Sequence, residues 1–234
     1  MDTPTHVKQA ILPLILTVAT AAGVVTLADS AQEHDGMSAR IDPQLATDAL
    51  NARTGIWTQL AHLLTFLGSE VVVGGLAMVL VIVLLKRRGP FVAGCAAAGM
   101  GLSIALTVIL KSVVQRARPG GLYRLGPVDS TYSFPSGHSL NSAVLLGLFV
   151  ILLVPIIRAR SVRIAVGGGA LLLAAGIGLS RVYLGYHWAS DVLASWLIAT
   201  ALLTIVALAA RIGRPAGVRH QSGDSQVDAP SVAS

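Results

Sequence analysis

Long apolar runs constrain this chain more than any other feature. Five of them, at residues 10–28, 91–110, 140–157, 164–184 and 188–210, approach or exceed the roughly 20 helical residues that cross a hydrocarbon layer about 30 Å thick. A sixth run, 71–85, is shorter and is expected to begin at Ser69-Glu70. In lipid every backbone polar group must be satisfied internally, which excludes open sheets, and the runs lack the two-residue alternation of barrel strands. The expected fold is therefore all-α: a polytopic membrane protein built as a six-helix transmembrane bundle. The composition agrees, with 54% hydrophobic and 12% charged residues and a mean hydropathy of +0.73, which excludes an ordinary soluble domain.

A formal charge of +6 invites a nucleic-acid reading, but the positions of the basic residues argue against it. Lys86, Arg87 and Arg88 follow the second run, Arg158, Arg160 and Arg163 the fourth, and Arg211, Arg214 and Arg219 the sixth. The positive-inside rule makes these loops cytoplasmic, with Lys8 placing the N-terminus on the same side. Residues 29–68 are then outside, where Trp57, Leu60, Leu63, Leu64 and Leu67 suit an interfacial amphipathic stretch. One transmembrane domain is expected over 1–212, and the polar tail 213–234 is expected to be disordered. The first run is read as a retained helix, although its short basic start and the small residues at 28–31 also fit a signal peptide. Gly94, Gly99, Gly101, Gly167 to Gly169, Gly176 and Gly178 suit close helix packing, and the lone Cys95 suits a packing role.

Three short stretches carry chemistry. Lys111 with Arg118-Pro119 ends the third run, Pro135-Ser136-Gly137-His138 opens the fourth, and Ser180-Arg181 with His187 and Asp191 lies between the fifth and sixth. Counting spans puts all of these on the outer face, since a run of about 20 residues at 1.5 Å each carries the chain from one surface to the other. Lys111 and Arg118, seven residues apart, share a face if the helix continues beyond the apolar run, though Pro119 disfavours helix at Arg118. Basic residues at a span end commonly just snorkel to the interface. Ser136 can donate to an anion at a helix start or act only as an N-cap, and Gly137 permits close backbone approach. His187 and Asp191, four apart, share a helix face; a carboxylate on one imidazole nitrogen leaves the other free as a nucleophile.

His138, His187 and Asp191 also form a two-histidine, one-carboxylate set, but three nearby cations would repel a divalent ion. Chemistry without metal or cofactor is expected. Arg116, Tyr123, Arg124 and Asp129 are expected to be solvated, and Tyr183, Tyr186 and Trp188 to form an interfacial aromatic belt. Glu70 is expected in the first turn of its helix.

The pattern KxxxxxxRP, PSGH and SRxxxxxHxxxD, carried by Lys111 to Pro119, Pro135 to His138 and Ser180 to Asp191, resembles the type 2 phosphatidic acid phosphatase superfamily, over about residues 55–212. The resemblance implies that His187 attacks phosphorus, that Asp191 orients it, and that His138 protonates the leaving oxygen. It implies that Lys111, Arg118, Ser136, Gly137 and Arg181 bind the phosphoryl oxygens. A lipid phosphate or diphosphate is the implied substrate, with undecaprenyl diphosphate preferred over phosphatidylglycerophosphate and phosphatidate. Phosphotransfer to another acceptor and a non-catalytic lipid-binding or transport protein are the alternatives. A bacterial cytoplasmic membrane is the expected location, and the sequence does not fix the oligomeric state.

Overall fold

The computed structural model describes residues 5–33, 36–127 and 129–212, so the tail 213–234 lies outside the described residues. Every regular element among them is helical: α1 (Thr5–Glu33), α2 (Gly36–Asn51), α3 (Gly55–Leu67), α4 (Glu70–Arg88), α5 (Pro90–Val114), α6 (Gly137–Leu148), α7 (Arg160–Tyr183) and α8 (Ala189–Ile212). The chain is a multi-pass membrane protein. α1, α5, α6 with its extension, α7 and α8 are long and apolar enough to cross a bilayer, and α3 with α4, bent by 48° at their junction, passes the same test only as a pair, which gives five crossings, or six if the bent pair is one span.

Local chemistry sets the helix ends. Ser69 caps α4 by accepting from the Val72 amide, Glu70 occupies the first turn, and Lys86, Arg87 and Arg88 fill the last, matching the helix dipole at both ends. Pro90 starts α5, where its missing N–H costs nothing. Beyond Leu148, α6 widens into a π turn at Phe149–Leu153 and tightens into a 3-10 turn at Val154–Ile156, because Pro155 has no amide to continue the α ladder.

Helices α4, α5, α6 and α8 share the main core, in which Leu84, Ala96, Leu140, Val144 and Leu148 are fully buried. Cys95 packs against it. Outward-facing Val71, Met78, Val108, Leu171 and Leu172 are exposed in a way that water would penalise and lipid tails would not. Of the small residues expected at interfaces, Gly99 lies against Val206 and Leu148 and Gly176 against Leu64, whereas Gly94, Gly101, Gly168 and Gly169 touch nothing that a methyl would meet. Gly178 has a stricter role: a β-carbon there would lie 2.6 Å from the Trp196 ring and 2.8 Å from Val192, so α8 packs directly against the α7 backbone at this point.

Two features depart from expectation. Residues 36–51 form the helix α2, which hydropathy did not mark. Gln115, in the left-handed region at φ 51°, ends α5 and turns the chain away. The end of α5, the start of α6, the end of α7 and the start of α8 meet at one end of the bundle, with α2 packed behind them.

Candidate active site

Since α5 stops at Val114, Lys111 and Arg118 do not share a helix face, which corrects the sequence expectation. They converge through the returning loop instead. Lys111 Nζ donates to Thr131 Oγ1 (3.1 Å) and to the Tyr132 carbonyl; Arg118 Nη2 donates to the same Thr131 Oγ1 (3.0 Å) and its Nε to the Thr131 carbonyl (2.8 Å). The loop is held down where Gly185, at φ 71°, passes so close to Tyr123 that a β-carbon would overlap its carbonyl. The Leu125 amide donates to the Leu184 carbonyl, and Arg53 reaches the carbonyls of Tyr123 and Tyr183.

Asp129, expected to be solvated, pairs with Arg118 Nη2 at 2.6 Å. Burial pushes its carboxyl up, but hydrogen bonds from Thr131 and the charges of Arg118 and Lys111 outweigh this and hold it below the usual carboxylate range. Burial pulls the Arg118 guanidinium down from its ordinary value, with Asp129 opposing.

His187 is buried in the turn between α7 and α8. Its Nε2 lies 3.1 Å from Arg118 Nη1. A guanidinium only donates, so Nε2 carries the lone pair and the ring proton belongs on Nδ1, facing Asp191. Burial pulls the imidazole down to about 4 against the opposing pull of Asp191, leaving His187 neutral at pH 7. Nδ1 stands 3.4 Å from Asp191 Oδ2 and 3.4 Å from Ser133 Oγ. The pair is thus poised at the outer edge of hydrogen bonding, with Ser133 Oγ donating to Oδ2 at 2.5 Å between them.

Ser136 is the N-cap of α6: its Oγ accepts from the Ser139 amide (3.4 Å) and hydroxyl (2.9 Å), which leaves its own proton to donate. Gly137 follows, where a β-carbon would come within 3.2 Å of Thr107. His138, half-buried, feels the charges of Arg181 and His187. Arg181 is buried, with Nη1 donating to Thr65 Oγ1 at 2.6 Å and its guanidinium 4.2 Å over the Tyr186 ring. Its Nε is buried with no partner, an orphan donor beside the other cations.

Residues to which the sequence reading gave no part in the site surround it. Arg116, expected to be solvated, is buried and bridges Asp42 of α2 (2.7 Å) and Asp191 (2.6 Å). Trp188 and Tyr186, expected in an aromatic belt, also contact the charged residues: Trp188 lies under Arg116 at 5.5 Å, Tyr186 under Arg181, and the Trp188 amide donates to Asp191. The Tyr183 hydroxyl accepts from the Thr54 amide at the start of α3. Thr65, Thr131 and Ser133 join through hydrogen bonds of loops and helices far apart in sequence. Only Ser133, two residues before Pro135, carried a local signal.

Among the described residues no group of three His, Cys, Asp or Glu side chains is arranged to hold a metal ion. Three cations, a capped helix N-terminus and an imidazole with its lone pair forward are the kinds of group that could hold a multiply charged oxyanion.

Comparison with known proteins bears on the fold and the family. The structure aligns with that of the transmembrane PAP2-type phosphatidylglycerolphosphate phosphatase from Bacillus subtilis at a TM-score of 0.74 and 24% identity, covering 85% of this chain and 97% of that one. In sequence, the chain is 32% identical over 111 residues to phosphatidylglycerophosphatase B of Bacillus subtilis (45% of this chain, 52% of the relative). It is 34% identical over 101 residues to undecaprenyl-diphosphatase of Sulfolobus acidocaldarius (42% and 45%). The matches span about half the length of these curated relatives. The family model for the PAP2 superfamily matches residues 92–212, more than half of the chain and all three motif stretches, and the chain belongs to that superfamily.

Proposed function

We propose that this protein is a membrane phosphatase that hydrolyses the terminal phosphate of a lipid phosphate or diphosphate through a phosphohistidine. The observation that carries the reading is the buried His187, its Nε2 3.1 Å from Arg118 Nη1 and its Nδ1 facing Asp191. The phosphoryl group takes the place of Arg118 in front of Nε2. Nε2 then bonds to phosphorus as the bond to the lipid oxygen breaks, and the positive charge formed on the imidazole is balanced by Asp191. Lys111, Arg118 and Arg181, with Ser136 Oγ and the Gly137 amide, hold the three phosphoryl oxygens. Phosphoryl transfer needs mainly this positioning and charge stabilisation. His138 gives its proton to the departing lipid oxygen, then takes one from a water that attacks phosphorus and restores His187.

The reaction is proposed to need no divalent cation, since the three cations already supply the positive charge that an ion would bring. The site is proposed to face the outside of a bacterial cytoplasmic membrane, following the basic loops at Lys86 to Arg88 and Arg158 to Arg163 on the other side. Undecaprenyl diphosphate is the first substrate to try, because its phosphate is released on that face. The relatives named phosphatidylglycerophosphatase B support phosphatidylglycerophosphate as the second.

The test is phosphate release from prenyl diphosphates and glycerophospholipid phosphates in detergent, with and without chelator, comparing wild type with His187→Ala. Turnover of at least one lipid without an added acceptor, lost by roughly four or more decades in the variant, the scale for removing a nucleophile, is expected. Turnover that requires an acceptor, or that persists in His187→Ala, overturns the reading.

A further inference from the structure

We infer that Arg116 and Asp42 are positioning residues: a buried Asp42–Arg116–Asp191 relay makes α2 part of the machinery that aims His187. This deepens the phosphatase reading and rests on its assignment of His187 as the nucleophile.

The relay consists of charged groups withdrawn from water. Asp191 is fully buried, Asp42 is 3% exposed and Arg116 is 9% exposed. A carboxylate in such a place has to be paired and hydrogen-bonded. Asp191 is paired four times over: Oδ1 accepts from Arg116 Nη1 at 2.6 Å, while Oδ2 accepts from Ser133 Oγ at 2.5 Å and the Trp188 amide at 2.9 Å and faces His187 Nδ1. Arg116 thus holds the oxygen that His187 does not use, and so fixes the plane in which the other oxygen meets the imidazole.

Arg116 cannot hold that oxygen without being held itself. Its Nη2 donates to Asp42 Oδ2 at 2.7 Å, and its guanidinium lies 5.5 Å from the Trp188 ring centre. Asp42 also binds the start of α8 directly, accepting from the Ser190 amide at 3.0 Å and hydroxyl at 2.5 Å. The same Ser190 hydroxyl accepts from Arg116 Nη1 at 2.7 Å. The three charged residues and Ser190 therefore form a closed ring that locks the first turn of α8, which carries Asp191. Asp42 lies outside the stretch that matches the family model, so the ring extends the site into a helix that the shared motifs do not contain.

Arg116 shares its charge between two carboxylates, and this gives the two substitutions opposite electrostatic signs. Arg116→Met leaves the full charge of Asp191 directed at His187. Asp42→Asn leaves Arg116 pairing with Asp191 alone. The other charged or titratable groups around the site are Arg118 and Asp129 from the α5–α6 loop, Lys111 from α5, His138 from α6, Arg181 from α7 and Tyr186 beside His187; all are unchanged in both variants.

The experiment measures kcat and KM for the best lipid phosphate, and the His187 titration midpoint by NMR of histidine-labelled protein in detergent. The variants are Asp42→Asn, Arg116→Met, Arg116→Lys and the double variant Asp42→Asn/Arg116→Met. The expected result is a kcat loss of about tenfold or more in Arg116→Met, the scale for removing a partner that orients a functional side chain. KM stays within about twofold, and Arg116→Lys recovers part of the loss. The His187 midpoint rises in Arg116→Met and falls in Asp42→Asn. The double variant removes one charge of each sign and stays folded if the single Arg116 change does not, with kcat still reduced. Unchanged kcat and midpoint in both folded variants, or changes in KM alone, overturn the inference. If the wild type hydrolyses no lipid phosphate, the phosphatase reading fails, while opposite midpoint shifts still establish the relay and their absence still refutes it.

Discussion

Asp129 sits where a substrate oxygen is expected to go, and replacing it with asparagine should tighten the binding of phosphate analogues. Its Oδ2 is 2.6 Å from Arg118 Nη2, while Oδ1 accepts from the Thr131 amide at 3.0 Å and hydroxyl at 2.9 Å. Asparagine keeps an acceptor for Thr131 and removes only the charge, so the loop geometry survives. Two unit charges about 4 Å apart attract by about 4 kcal/mol at an effective dielectric of about 20. The Asp129 side chain is 33% exposed, however, and exposed pairs typically retain only 0.2–1 kcal/mol in total after screening and side-chain ordering. An incoming oxyanion has to displace that interaction, so its removal should improve binding by about 1 kcal/mol, or about fivefold, with tenfold corresponding to about 1.4 kcal/mol. Vanadate, which adopts the five-coordinate geometry of phosphoryl transfer, is the probe. Its inhibition constant should fall about fivefold in Asp129→Asn, and the gap should narrow at high salt. Weaker or unchanged vanadate inhibition would refute the reasoning, since it would mean that Asp129 holds Arg118 in its binding position rather than competing for it.

The acid limb of kcat/KM, corrected for ionisation of the substrate, reports the free enzyme and should fall near pH 4, because His187 must be neutral to attack and becomes protonated only below that value. A limb at the ordinary imidazole value of about 6.5 would contradict the burial argument. Gly185→Ala should lower the detergent melting temperature and the activity together, since a left-handed alanine costs about 1–2 kcal/mol even before its overlap with Tyr123; an unchanged melting temperature would show that the loop does not need this contact. Thr65→Val removes the partner of Arg181 Nη1 and should raise the KM for lipid phosphate several-fold with the fold intact, whereas an unchanged KM would remove Arg181 from phosphate binding.

The bundle was legible because hydropathy is a property of single segments, and each crossing announces itself without reference to its neighbours. Span counting then brought Lys111, His138, Arg181 and His187 to one end of the bundle, which needs only helix rise and membrane thickness. What the sequence did not disclose depends on partners remote in the chain. Arg116 reads as solvated beside Arg118 because its two carboxylates lie 74 and 75 residues away. The helix α2 carries no apolar run, so nothing local revealed that Asp42 would be buried. Lys111 and Arg118 do converge, but through Thr131 rather than along a helix, because Gln115 in the left-handed region breaks the periodicity on which the expectation relied.

The position of His187 between two charge layers ties these pieces together. Behind it, Asp42 and Asp191 flank Arg116, a layer with one excess negative charge in which every group is paired. In front of it, Lys111, Arg118 and Arg181 face one carboxylate, Asp129, a layer with two excess positive charges. A proton on His187 is drawn to Nδ1 by the layer behind and repelled from Nε2 by the layer in front, which fixes the tautomer that presents a lone pair forward. On the proposed mechanism a phosphate dianion that pushes Asp129 out to solvent would meet three cations, and the remaining positive charge would balance the layer behind. On that mechanism the bound state is then neutral as a whole, and during transfer the charge that would develop on His187 is matched by a carboxylate already ionised and already held in place.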